Sequence, residues 1–229
     1  MYTENTRVCK TPFPASTAVE QIEEYTDKVV KGLVVCILPP CSGCNLKCAW
    51  FKRHEARRRI FYVVVDQIVH TVFGLLVRWK CPACGKTFTQ YPDFALPYKR
   101  YTLPTILDFS SRYTESPTMT YRKTVRSAQL GYKGSERQLE HSTVHRWLTG
   151  LGGLTKTVAY AADTLLQIAP SSSACLYAAR LPVEPAKYRS DERKSLLQRC
   201  RRFFFFEAVA RKLLFFSIFP KLATDCRYG

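Results

Sequence analysis

Apolar side chains dominate two segments on either side of a short polar break. "RRRIFYVVVDQ" and "IVHTVFGLLVRWK" are rich in Val, Ile, Phe and Tyr, and the "DQ" between them suits a turn. β-Branched and aromatic side chains favour strands because they pack well on a pleated, half-buried surface. The pattern therefore predicts a β-hairpin.

Ahead of the hairpin the pattern predicts a helix and then a strand. "TAVEQIEEYTDKVV" opens with a capping-box match, in which Glu20 follows Thr17 by three residues. "GLVVCILPP" is a β-branched run that ends at Pro39 and Pro40, which predicts a short strand.

Beyond residue 99 the apolar positions follow the period of a helix. "LPTILDFSSRY" places Pro104 where a first helical turn accepts it, and we expect three or four helices up to "TVAYAADTLLQIA". A connector follows from residue 170, and Ser190 suits the cap of a long last helix. That helix contains "FFFF", which covers every side of a helix. It is therefore either buried in a core or, over residues 190–219, a surface for self-association or for a protein partner.

Two helical patterns within residues 121–152 predict a helix-turn-helix. In the second pattern, Val144, Trp147 and Leu148 share the spacing of a buried helix face, and Ser142 or Ser135 suits its cap. Four polar residues of that helix would then face outward and lie in a DNA groove: Ser142, Thr143, His145 and Arg146. An ordinary helical hairpin is the alternative.

The charge balance points to a polyanionic partner. The chain has 229 residues, with 35 Lys and Arg against 18 Asp and Glu, which gives a net charge of +17. Nucleic acid is the leading candidate, since each phosphate that Lys or Arg neutralises releases counterions. The first residues lack the pattern of a secretory signal, and no apolar run is long enough to span a membrane. We therefore expect a cytoplasmic protein, nucleoid-associated in a bacterium, whose cysteines stay reduced.

Two pairs of cysteines flank the predicted hairpin. Cys41 and Cys44 precede it, and Cys81 and Cys84 follow it, each pair with the C-x2-C spacing of a zinc knuckle. Two thiolates on such a turn reach one tetrahedral ion, and Gly85 permits the backbone of the second turn. The layout predicts a zinc ribbon with one structural Zn²⁺ per chain. A closed four-thiolate site has no open position for water or substrate, so it supplies folding free energy rather than chemistry.

The upstream ligand pair has alternatives. Cys48 or His54 could replace one upstream thiolate. Cys36, Cys41 and Cys44 also match the start of a plant-type iron–sulfur spacing, although Cys36 lies in an apolar run where a buried structural cysteine is common.

Basic residues lie on and beside the predicted ribbon. Interleaved with aromatic residues, they fit a surface that contacts phosphates. They are Lys52, Arg53, Arg57, Arg58, Arg59, Lys80, Lys86, Lys99 and Arg100.

One family resemblance covers roughly residues 36–150 and is most specific at 78–101. "LVRWKCPACGKTFTQYPDFALPYKRYTLPTI" resembles the zinc-ribbon segment of transposon-encoded proteins and insertion-sequence transposases. "CSGC…RHEARRR" is similar to their first knuckle, and "STVHRWL" is similar to the helix-turn-helix that follows. The resemblance implies a DNA-binding module that docks on transposon ends or target DNA.

The chain departs from that family after residue 150. A full transposase of this type continues into a ribonuclease-H-like domain with three metal-binding carboxylates, whereas the acids that remain here, such as Asp163 and Glu184, follow no predicted central strand. We therefore expect no catalytic transfer and no enzymatic activity.

These patterns together predict an α+β protein with an N-terminal zinc ribbon, followed by a mostly α-helical region with a helix-turn-helix. The predicted parts are an arm and short helix (1–35), the ribbon (36–98), the helical domain (99–169), and a connector with the last helix (170–229). The predicted function is binding of duplex DNA in a mobile-element system. The alternative is an RNA- or protein-binding adaptor subunit of a transposition or CRISPR-linked nucleoprotein complex.

Overall fold

The centre of the molecule is a long β-hairpin. The computed structural model describes residues 15–65, 68–115, 118–126, 138–153 and 190–214, together with 159, 163, 166 and 167. Strand β1 (Lys52–Val65) pairs antiparallel with β2 (Ile68–Lys80), as the apolar pattern predicts. A short β3 (Thr87–Thr89), which we did not predict, pairs with the end of β2, so the strand order is β1-β2-β3. The α+β class is confirmed.

Helix α1 (Ala15–Val30) packs against the hairpin. Ile22 is buried with Phe61 and Leu76 in one apolar cluster. Gly74 makes this close approach possible, because a Cβ at that position would lie 2.9 Å from Ile22 Cγ2 and 3.0 Å from Phe61. The helix is confirmed, but the capping-box prediction is wrong, since the helix already begins at Ala15 and Thr17 lies inside it.

Residues 33–39 form no strand, so that prediction is wrong. The segment lies beside Gln90, whose buried carboxamide donates to the carbonyl of Val35 at 3.0 Å and accepts from the N–H of Ile37 at 3.1 Å. One side chain thus supplies the two hydrogen bonds that a neighbouring strand would have offered. Val35 and Ile37 remain 75% and 71% exposed.

The helical region packs around the turn end of the hairpin. Its described helices are α2 (Leu103–Glu115), α3 (Tyr121–Val125), α4 (His141–Gly153) and α5 (Asp191–Leu214). Their buried side chains share one cluster with Tyr62, Val64 and Val69 of the hairpin. No described helix has an apolar stretch suited to crossing a bilayer.

Helix α4 presents the predicted buried face to this core. Val144, Trp147 and Leu148 are all buried. Ser142 is not the cap, because the helix already begins at His141 and Ser142 lies in its first turn. The alternative cap, Ser135, lies outside the described residues, as does the 127–137 segment that joins α3 to α4. The connection that would define a helix-turn-helix is therefore not described.

Helix α5 contributes to the same core. Ser190 caps it as predicted, since its hydroxyl accepts from the N–H of Arg193 at 3.3 Å. Phe203 and Phe206 are buried and the two phenylalanines between them are partly buried, which fits the core interpretation of this helix. Three predicted parts lie outside the described residues: the arm before residue 15, the helix predicted at 157–169 except for residues 159, 163, 166 and 167, and the connector 170–189.

Candidate metal centre and basic surface

The two cysteine turns have the same backbone geometry. In the first, the N–H of Cys41 donates to Leu46 at 2.8 Å and its carbonyl accepts from Asn45 at 2.7 Å. In the second, the N–H of Cys81 donates to Lys86 at 2.8 Å and its carbonyl accepts from Gly85 at 2.9 Å. Each turn therefore forms the same pair of hydrogen bonds around its first cysteine.

The residue after each second cysteine is left-handed. Gly85 has φ +74°, as its predicted role requires. In the first turn this position belongs to Asn45, with φ +58°, and not to the glycine inside the pair. Asparagine tolerates this conformation better than most residues with a side chain, so Asn45 was the overlooked sequence signal.

The turns bring four thiols to one point. Ligand atoms of Cys41, Cys44, Cys81 and Cys84 all lie within 4.8 Å of one another. The Sγ atoms of Cys41 and Cys84 are 3.3 Å apart, and those of Cys44 and Cys81 are 3.5 Å apart. Zn–S bonds of about 2.3 Å in a tetrahedron place the sulfurs roughly 3.8 Å apart. The donor set and its spacing therefore fit a metal ion held by four thiolates.

Apolar side chains pack around both cysteine turns. Cys41 and Cys81 are buried with Phe51, Val77 and Trp79. The ring of Phe51, just after the first turn, stacks on that of Phe88, just after the second, with centroids 5.4 Å apart. The two turns are thus held together by apolar packing as well as by any ion.

The thiols differ in acidity. Burial disfavours the Cys41 thiolate, but the Gly43 N–H, 3.4 Å from its sulfur, and the Cys84 thiol outweigh burial and lower the pKa of Cys41 to about 6. The N–H of Leu46 favours the Cys44 thiolate, but contact with the thiol of Cys81 outweighs it and raises the pKa of Cys44 to about 12. Such a cluster holds thiolate and thiol together, which is the state that a cation converts to full ionisation.

The alternative ligands lie outside this group. The thiol of Cys48 donates to the carbonyl of Cys36 at 3.7 Å, so these two cysteines lie together elsewhere in the same apolar cluster. His54 is exposed and occupies an irregularity in β1, between the paired residues Arg53 and Glu55. Within the described residues, the four predicted cysteines are the group that could hold an ion.

Three of the predicted phosphate-contacting arginines make hydrogen bonds inside the protein. Arg53 donates to the carbonyl of Val29, at the end of α1, at 2.7 Å. Arg59 donates to the carbonyls of Leu96, at 2.6 Å, and Lys99. Arg100 donates to the hydroxyl of Tyr62 at 3.0 Å.

The other predicted cations of the ribbon are exposed: Lys52, Arg57, Arg58, Lys80, Lys86 and Lys99. None of them forms an ion pair with a carboxylate in the described part of the chain. Lys86 crosses the first cysteine turn, because a Cβ at Gly43 would lie 2.9 Å from its side-chain atoms. Its ammonium group therefore lies beside Gly43, between the two cysteines of the first turn.

Exposed aromatic side chains accompany these cations. The guanidinium of Arg58 lies over the ring of Phe73 on β2, 5.3 Å from its centroid, and Phe73 is 58% exposed. Trp50 and Tyr98 are also exposed. Phe73 was absent from our predicted surface, and its pairing with Ile60, which packs against the helical core, gave no signal of its exposure.

Helix α4 carries the remaining predicted residues. Ser142, His145 and Arg146 are exposed and Thr143 is partly exposed, so these polar side chains do face away from the buried side. Arg146 donates to the hydroxyl of Thr143 at 3.2 Å. A cleft of about 530 Å³ that we did not predict lies between α3 and the start of α4, with Arg122, Arg126 and His141 in its lining.

One family model matches part of this chain. Residues 41–147, from the first cysteine turn to Trp147 of α4, match the family described as a domain of unknown function, DUF6431. No curated protein and no solved structure matches the chain. The matched segment contains the four cysteines, the whole hairpin and the outward face of α4, so the features described above lie within one family segment.

Proposed function

We propose that this protein binds duplex DNA through the basic ribbon and helix α4, with a structural Zn²⁺ at the four cysteines. The observation that carries the proposal is the set of exposed cations on and beside the hairpin, none of which pairs with a carboxylate among the described residues. Cations without carboxylate partners are available to phosphates, and the gain comes from counterion release.

The metal has a structural role in this proposal. It joins the cysteine turn that precedes β1 to the cysteine turn that follows β2. The cations on the two strands and on the second turn are thereby fixed relative to one another. With all four positions taken by thiolates, the ion has no place for substrate, and we propose no catalytic activity.

Helix α4 supplies the second contact in this proposal. Its exposed residues near the N-terminal end are polar or basic, as they are in helices that enter the major groove. The neighbouring cleft adds Arg122 and Arg126 beside the same helix end. We propose that these residues and the ribbon contact one duplex, and that α3 and α4 form the helix-turn-helix.

The mobile-element setting is also part of the proposal. It rests on the resemblance of residues 78–101 to the zinc-ribbon segment of insertion-sequence transposases. In that setting the duplex is a transposon end or a target site.

The test is binding of labelled duplex DNA by fluorescence anisotropy at increasing salt. We expect the affinity to fall steeply with salt, and the double variant Arg57→Gln/Arg58→Gln to flatten the log–log slope by about 1–2, since each phosphate contact contributes about 0.9. The matched control is Lys28→Gln/Lys31→Gln, which removes two cations that are already paired with acids on α1 at 2.6 and 2.7 Å. Equal slopes for the two double variants would contradict the proposal.

One observation favours the adaptor alternative. Leu33, Val35 and Ile37 are 64–75% exposed on the segment before the first cysteine turn. Adjacent exposed apolar side chains often mark a protein interface. A nucleoprotein adaptor would bind a protein here, and replacing the three residues with Ser would abolish that complex in size-exclusion chromatography without changing DNA affinity.

A further inference from the structure

Tyr98 combines two unusual features in the loop between β3 and α2. It is 86% exposed, and its φ of +59° is left-handed. That region is unfavourable for a bulky side chain, and such outliers concentrate at functional sites. Exposed aromatic side chains are common, but one held outward against its backbone preference is not.

The local chain explains the conformation. The N–H of Lys99 donates to the carbonyl of Leu96 at 3.3 Å, which closes a turn with Pro97 second and Tyr98 third. Proline presets the second position of such turns, and a positive φ at the third position is typical of type II, where glycine is usual. Tyr98 therefore occupies a place where glycine would form the same turn more easily.

The turn is fixed to the hairpin on both sides. Arg59 on β1 donates to the carbonyls of Leu96 and Lys99, which are the two ends of the turn. Just beyond it, the carbonyl of Arg100 accepts from the N–H of Tyr62 at 2.8 Å, and the N–H of Thr102 donates to the carbonyl of Tyr62 at 3.1 Å. The ring of Tyr98 is thus carried by a braced turn, and little further ordering of that backbone is needed when it meets a ligand.

The neighbours of Tyr98 indicate what that ligand is. Lys99 and Arg100 follow it directly and both are exposed, and the Arg100 guanidinium also donates to the hydroxyl of Tyr62. An aromatic face beside two cations suits a nucleotide, with the base on the ring and the phosphates on the cations. Inside a duplex each base is already stacked on both faces, so the base that the ring can stack on most readily is an unpaired one.

We propose that Tyr98 is a base-stacking residue that directs this protein to DNA with an unpaired base, such as a duplex with a single-stranded tail. This inference rests on the proposed function, since it assigns a DNA structure to the same basic surface. The ribbon cations contact the phosphates of the duplex, and the Tyr98 ring stacks on the first unpaired base beyond it.

The experiment compares a blunt duplex with the same duplex carrying a short single-stranded tail, both measured by anisotropy with the full-length protein. Removal of a base-stacking aromatic weakens binding by roughly 5- to 150-fold. We expect Tyr98→Ala to lose about that factor on the tailed DNA and little on the blunt DNA, whereas Tyr98→Phe keeps the tail preference. Val30→Ala removes an exposed apolar side chain away from the proposed surface, 68% exposed, and should leave the preference unchanged.

A second variant separates binding from folding. Tyr98→Gly relieves the left-handed strain, so we expect a higher thermal midpoint together with loss of the tail preference. Fluorescence of 2-aminopurine in the tail should change on binding to the wild type and to Tyr98→Phe, but not to Tyr98→Gly.

The outcomes distinguish the two proposals. Wild-type protein that binds blunt duplex with the expected salt dependence but gains nothing from the tail would overturn the role of Tyr98 and leave the proposed function standing. Tyr98→Ala that changes the oligomer size while keeping the tail preference would assign the side chain to a protein contact and also overturn it. Failure to bind either DNA would remove the proposed function itself.

Discussion

Helices α4 and α5 cross at Gly152, and this contact allows a sharp test of the packing. A Cβ at Gly152 would lie 2.6 Å from Leu196 Cγ and 2.8 Å from the Leu196 carbonyl oxygen. The Leu196 side chain can rotate away, but its carbonyl is backbone. The substitution Gly152→Ala therefore requires the helices to separate by about 0.6 Å, from 2.8 Å to the 3.4 Å of an ordinary contact.

The expected cost follows from two opposed terms. Overpacking a well-packed contact costs about 1–3 kcal/mol. Replacing glycine by alanine inside a helix stabilises it by about 0.5–1 kcal/mol. Gly150→Ala supplies the matched control, because it lies in the same helix and a Cβ there meets nothing within 4 Å. Gly150→Ala should therefore only gain the stabilisation of about 0.5–1 kcal/mol from replacing glycine by alanine.

The assay is urea denaturation followed by circular dichroism, with the midpoints compared at constant slope. We expect Gly152→Ala to be less stable than Gly150→Ala by about 1–3 kcal/mol, which is the overpacking term itself. If Gly152→Ala were as stable as Gly150→Ala, the close crossing of α4 on α5 described here would be wrong.

Three further predictions concern the cysteines and Gln90. Cys44→Ala should reduce bound zinc from about one ion per chain to none, as measured by elemental mass spectrometry. Because the pKa of Cys44 is raised to about 12, zinc binding near pH 7 should release protons and should weaken as pH falls, which titration calorimetry in two buffers would show. Cys200 is buried, its thiol donates to Leu148 at 3.1 Å and burial raises its pKa to about 12, so iodoacetamide should not label it in the native protein; labelling at the rate of an exposed thiol would contradict its burial. Gln90→Glu keeps an acceptor but loses the donor, so hydrogen exchange should stay slow at the Ile37 amide, whereas Gln90→Leu should accelerate it; equal rates would refute the role of the carboxamide.

The parts predicted correctly from sequence are those in which the local pattern and the packing agree. Strand β1 is β-branched or aromatic from Ile60 to Val65, and β2 begins with the same residue types, so local composition and packing agree there. The cysteine spacing by itself defines a turn with two thiols. Val144, Trp147 and Leu148 on α4 likewise face the core that their spacing indicated.

The errors arose where a distant residue decides the local structure. Residues 33–39 have the composition of a strand, but the partner that satisfies their backbone is the side chain of Gln90, and no local pattern indicates that contact. Arg59 belongs to a run of three arginines, but its guanidinium donates to the carbonyls of Leu96 and Lys99, whereas its two neighbours in the run are exposed to solvent. Composition describes the run as a whole and cannot distinguish its members.

The hairpin has one closed end and one open end, and this shapes how the protein resists unravelling. Val65 and Ile68 pair at one end, next to Val64 and Val69 of the helical core, while Lys52 and Lys80 pair at the opposite end, roughly 45 Å away for strands of this length. Covalent continuity prevents the strands from parting at the turn, so fraying must start at the lysine end, where two like charges face each other. The two cysteine turns lie at that end and hold the strands together there. An ion bound there links the two strands at their open end, so both ends of the hairpin are then closed and strand separation cannot start at either one.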